Sequence, residues 1–174
     1  MPRKNKKLPR HLLVIRTSAM GDVAMLPHAL RALKEAYPEV KVTVATKSLF
    51  HPFFEGLDVG FLDIETRRTH RGIRGAIRFA REAAELKIDA VADMHNVLRS
   101  KMVRAALHLR GIPVSVIHKG RIEKYMRLGR GSEGVKPLKH TVIRYCDVFR
   151  RLGFDFPDPR PAEKRPRPNP MGEK

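Results

Sequence analysis

Cysteine occurs once in the 174 residues, at position 146, and tryptophan not at all. A lone thiol has no mate within the chain, so disulfides add nothing to its stability and a reducing compartment is the expected home. Long apolar runs are missing as well. No stretch approaches the roughly 20 residues that cross a bilayer, and the basic start MPRKNKKLPR is followed by only a few apolar residues before Arg16 interrupts. That pattern argues against a membrane span and a secretory signal, and points to a cytoplasmic protein with room for peripheral attachment to the inner face of the inner membrane. Acids are scarce: 18 Asp and Glu face 36 Lys and Arg, a net charge of +18. The excess suits phosphate-bearing partners, whether nucleic acid, an anionic membrane surface or a small phosphorylated substrate. Glycine is scarce in the loop after the first apolar run, where one residue replaces the three of a dinucleotide fingerprint, and G-x-x-x-x-G-K-[ST] occurs nowhere, which disfavours nucleotide binding of those two kinds. G-x-S-x-G is missing, so nothing suggests a nucleophile elbow. The histidines at 51, 70, 108 and 140 lack metal-ligand spacing, and no metal is expected.

What is present is an alternation. Short apolar, β-branched runs stand at 12–15 (LLVI), 40–46 (VKVTVAT), 59–64 (VGFLDI), 89–94 (DAVADM) and 113–117 (PVSVI). Between them, apolar residues recur at helical spacing: Ala29, Leu30, Leu33 and Ala36; then Ile73, Ala76, Ile77, Ala80 and Ala84; then Met102, Val103, Ala106, Leu107 and Leu109. Strands apolar on both faces, alternating with helices, predict a Rossmann-like α/β fold, a parallel sheet with helices on both faces. A last helix over about 140–153 should bury Val142, Tyr145, Cys146 and Phe149 and stop at Gly153. The expected organisation is a basic tail at 1–10, one domain at 11–153, and a proline-rich linker or tail at 154–174.

In an open parallel sheet, ligands bind beyond the carboxyl ends of the strands where strand order reverses. With three strands wound one way and two the other, that place lies between the first and fourth strands. Their loops would bring Thr17, Ser18, Gly21 and Asp22 opposite His95, Asn96 and Arg99. Asp22 follows the only glycine in the first 55 residues, and two roles are open to it. It can cap the start of the following helix, a job Ser18 could also do. Alternatively, a carboxylate in a basic crevice can accept a proton. Arginines at 67, 71, 74, 78 and 81 recur every three or four residues and form one helical stripe. Most of it reads as a solvated face, but Arg67, Arg68 and Arg71 sit near the same carboxyl edge, where guanidinium forks suit phosphate oxygens.

The stretch HLLVIRTSAMGDVAMLPHALRALKEAYPEVKVTVATKSLFHPFFEG resembles the start of the lipopolysaccharide heptosyltransferases, glycosyltransferase family 9: apolar strand, serine-containing loop, Gly-Asp, then a helix with an early proline. IDAVADMHNVLRSKMVRAAL resembles the family's second landmark and HTVIRYCDVFRRLG its closing helix, so the likeness spans about 11–153. The resemblance implies the N-terminal half of a GT-B glycosyltransferase, which holds the acceptor, while a C-terminal half absent from this sequence binds the nucleotide sugar. It also implies that Asp22 is the catalytic base of an inverting transfer of heptose from ADP-heptose to an anionic lipopolysaccharide inner core. No cofactor or metal is implied, and little activity is expected without the second half. Thr17, Ser18, Gly21, Arg67, Arg68, Arg71, His95, Asn96 and Arg99 would then contact the acceptor. Where many family members carry Gln-Gly, this chain has His95 and Asn96.

Two other readings remain at this level. A basic nucleic-acid-binding module would use the same charge, although no known nucleic-acid signature accompanies it. A catalytically dead scaffold fragment is the other.

Overall fold

The computed structural model describes residues 8–65, 69–118 and 139–159. Five apolar runs form five parallel strands: β1 (His11–Ile15), β2 (Lys41–Thr46), β3 (Gly60–Asp63), β4 (Ala90–Asp93) and β5 (Val114–Val116). Their order is β3-β2-β1-β4-β5, which puts the reversal between β1 and β4 as the alternation predicts. The register aligns Leu13 with Thr43 on one side and with Val91 on the other. Central strands are buried on both faces, which is why β1 and β4 read as unbroken apolar runs rather than alternating ones.

Helices α1 (Met20–Ala36) and α4 (Thr141–Leu152) cover one face of the sheet, and α2 (Gly72–Glu85) and α3 (Leu98–His108) the other. The first layer holds Leu26, Leu30 and Leu33 of α1 against Tyr145, Phe149 and Leu152 of α4. The last helix keeps to its predicted face and ends at Gly153, whose φ of 110° a glycine adopts without steric cost. Beyond it the chain turns back: Phe154 and Phe156 are buried, and Phe154 meets Tyr37 edge to face at 5.2 Å. Leu8 touches the same corner, 3.2 Å from where a side chain on Gly153 would begin.

The second layer departs from expectation. In α2 the buried positions are Gly75, Ala76, Phe79, Ala80 and Ala83, whereas Ile73 and Ile77 are 68% and 47% exposed. The helix is turned most of a quarter revolution from the face that its isoleucines suggest. Two residues turn it. Phe79 offers the largest apolar surface on the helix and takes the core. Gly75 admits the backbone of His70, so close that a Cβ there would stand 2.2 Å from the His70 carbonyl carbon. In α3, Val103 and Leu107 are buried as expected, but Leu109 lies past the helix end and is 88% exposed.

Candidate functional site

β1 and β4 deliver two loops to the carboxyl edge of the sheet, 16–19 and 94–97, each leading directly into a helix. The first loop begins with Arg16, which is 6% exposed. A guanidinium so deep needs partners, and Arg16 has two: it donates to the Met94 carbonyl and to Oδ2 of Asp22. It also lies over the Tyr145 ring, 5.9 Å from the centroid. Tyr145 in turn donates its hydroxyl to the Asp22 carbonyl at 2.9 Å. Burial pushes the Tyr145 phenol up to about 12, Arg16 opposing and Asp22 adding to the shift, so the hydroxyl stays protonated and remains a donor. One buried cation thus ties β1, the loop after β4 and the start of α1 together, with α4 behind them.

Asp22 is the third residue of α1, but it does not cap the helix. Ala19 occupies the cap position without a side-chain bond, and the Asp22 carboxylate is turned to Arg16 instead. Its side chain is 44% exposed. Oδ1 has no hydrogen-bond partner among the described residues. Ser18 does not cap either; its Oγ lies 3.5 Å from Nε2 of His95 and links the two loops.

The second loop is built on Asp93, fully buried at the end of β4. Its Oδ1 accepts the backbone N–H groups of His95 and Asn96, at 2.9 and 2.8 Å, and Arg104 of α3 donates to Oδ2 at 3.2 Å. Asn96 adopts a positive φ of 48°, which asparagine tolerates better than most residues. Its side chain serves the scaffold, donating to the Ile117 carbonyl and accepting from Arg104. Ser100 closes the start of α3 by accepting from the Val97 N–H and donating to the Val97 carbonyl, both at 3.0 Å.

Between these loops and the α2–α3 layer lies a cavity of about 150 Å³. Thr17, Ser18, His95 and Arg99 line it, joined by Lys47 and His70, neither of which stood out in the sequence as a site residue. Two cationic side chains and several hydroxyl and ring nitrogens around so small a volume suit a compact anionic or polyhydroxylated group. Among the described residues, Gly21, Asp22, Asn96 and Arg71 do not line the cavity. Asp22 stands on α1, in the other helical layer, and Arg71 is exposed just ahead of α2. Arg67 and Arg68 lie outside the described residues.

His70 anchors the cavity's far wall. Nδ1 accepts the Glu65 N–H at 3.1 Å, which leaves Nε2 to donate to Glu82 at 2.9 Å. Burial alone would raise the Glu82 carboxyl, but the bonds from His70 and Arg78 outweigh it and hold the group below its ordinary value. The sequence carried faint signals of this framework: an arginine closing an apolar strand at 16, and a carboxylate closing another at 93.

Structural comparison finds the same fold elsewhere. A family 9 glycosyltransferase from Veillonella parvula superposes with a TM-score of 0.60 at 17% identity, covering 83% of this chain and 42% of that one. The fold of this chain is the fold of less than half of that glycosyltransferase. The E. coli heptosyltransferase WaaC with ADP matches at 0.56 and 22% identity over 84% of this chain and 49% of that one. E. coli ADP-heptose lps heptosyltransferase II matches at 0.53 and 20% over 91% and 44%. The chain therefore spans half or less of the length of the structures it matches. No protein-family model and no curated protein sequence matches it.

Proposed function

We propose that this chain is the acceptor-binding and catalytic-base half of an inverting glycosyltransferase that moves heptose from ADP-heptose to an anionic lipopolysaccharide inner core. The observation that carries the reading is the state of Asp22: one oxygen gripped by a buried arginine, the other without a hydrogen-bond partner among the described residues, at the strand reversal of a sheet shared with family 9 glycosyltransferases. Arg16 fixes the carboxylate's direction, and Oδ1 takes the proton of an acceptor hydroxyl. The acceptor's hydroxyl oxygen, losing its proton to Oδ1, forms the new bond to the anomeric carbon as the bond to the diphosphate breaks on the opposite face, which inverts the centre. A carboxylate beside an oxocarbenium-like transition state also offsets its positive charge. Lys47 and Arg99, which line the cavity, would hold a phosphate or carboxylate of the acceptor. The donor would be held by a second half, since the loop after β1 carries one glycine in place of the three of a dinucleotide fingerprint.

The test is Asp22→Asn in a two-domain form that supplies a donor-binding half. The amide oxygen can still accept from Arg16, so the framework persists while the base is lost. Turnover should fall by about a thousandfold or more with acceptor affinity retained. Turnover within a factor of a few of the parent would refute the role given to Asp22.

A further inference from the structure

We infer that the outer surface of the α2–α3 layer docks on an anionic lipid bilayer. Ile73 and Ile77 are one turn apart on the solvent side of α2, with no cover among the described residues. Arg74, Arg78 and Arg81 are exposed beside them. Leu98, at the start of the neighbouring α3, is 75% exposed.

Of the two helical layers, this one carries the larger excess of positive charge. Residues 71–85 and 98–108 hold seven Arg and Lys against two acids, Glu82 and Glu85, whereas α1 and α4 together hold five against three. Of the two acids, Glu82 is turned to His70 and Arg78. A soluble polyanion such as nucleic acid would answer the arginines but leave the isoleucines and Leu98 in water. A bilayer answers both, since its headgroups meet the arginines and its acyl boundary takes the apolar side chains. No helix among the described residues is long and apolar enough to cross a membrane, so α2 would lie along the surface. Because α2 and α3 both start at the carboxyl edge of the sheet, docking there brings the mouth of the cavity to the headgroups. The choice of lipid accords with the acceptor reading above and rests on it to that extent.

The absence of tryptophan supplies the probe. Ile77→Trp in the full chain should emit at shorter wavelength on adding vesicles of equal parts phosphatidylcholine and phosphatidylglycerol, and stay unchanged with phosphatidylcholine alone. Leu109→Trp, at the opposite end of α3, should not shift with either. By co-sedimentation, Arg74→Gln and Arg81→Gln should each lower partitioning roughly fivefold. Ile73→Asn, which leaves the charge intact, should lower it roughly tenfold. Because all these positions are exposed, an unchanged circular dichroism spectrum is expected and separates lost docking from lost folding. An unshifted Ile77→Trp, an equal shift at Leu109→Trp, or the same shift at Ile77→Trp with an oligonucleotide would overturn the proposal. Docking is read without any transfer, so its failure would leave Asp22 as base, and an active Asp22→Asn variant would leave the docking face standing.

Discussion

At position 22 the two ends of the ion pair stand in different solvents. Asp22 is nearly half exposed, whereas the Arg16 side chain is 7% exposed and has only Asp22, the Met94 carbonyl and the Tyr145 ring around it. Removing the carboxylate therefore strands a buried cation, while water can reach what remains of the helix start. Asp22→Ala should cost about 2 kcal/mol of unfolding free energy, less than a fully buried pair because one partner is already hydrated. Asp22→Asn keeps an acceptor for Arg16 and should cost about 1 kcal/mol or less. Urea titration of both variants measures the difference, and equal midpoints would show that Asp22 does not support Arg16. The pair also separates two readings of one carboxylate: a merely structural Asp22 would lose stability in the alanine form without explaining a dead asparagine form.

Among the elements, α2 shows how far periodicity carries. The strands, their order and the final helix were all legible, because a run such as LLVI or AVAD has one way to be buried and a topology rule sets its neighbours. The helix at 72–85 offered two apolar faces, and isoleucine spacing favoured the wrong one. What decides between them is a contact between Gly75 and the backbone of His70, and sequence spacing does not encode close approach between a helix and the loop before it. The same limit hid half the site. Ser18, His95 and Arg99 meet at the cavity because topology places loop ends together, whereas Asp22 does not line it. Arg16, Asp93 and Tyr145 were passed over because their work is done by side-chain direction, and Asn96 was assigned to the crevice although its amide is turned to Ile117 and Arg104. Gly75→Ala tests the decisive contact. All three atoms nearest the new Cβ are backbone, at 2.2 to 2.7 Å, so no side chain can swing aside. We expect a loss of about 3 kcal/mol and a lowered thermal midpoint, with a wild-type midpoint ruling out the packing described.

Across the whole molecule, the candidate site lies at one edge of the sheet, and the α2–α3 layer carries a larger excess of positive charge than the α1–α4 layer. The carboxyl edge carries a cavity bounded by Lys47 and Arg99 and, at the start of α1, the Asp22 carboxylate, 44% exposed. On the proposed reading this edge orients an anionic acceptor and takes its proton, while the nucleotide diphosphate is left to the other half. The loop after β1 offers it a single glycine, Gly21, next to the Asp22 carboxylate, which repels phosphate. The division of labour between acceptor and donor then becomes measurable on this chain by itself. Titrated calorimetrically, it should take up heptose-deficient lipopolysaccharide core, with affinity falling as salt rises because the contacts are charge pairs exposed to solvent. Charge reversal at Lys47 or Arg99 should weaken that binding by about tenfold, whereas ADP should give no heat of binding at the same concentrations. Tight uptake of ADP would place the donor in this half and undo the proposed split. Core binding indifferent to Lys47 and Arg99 would move the acceptor away from the cavity, leaving Asp22 with no substrate anchored beside it.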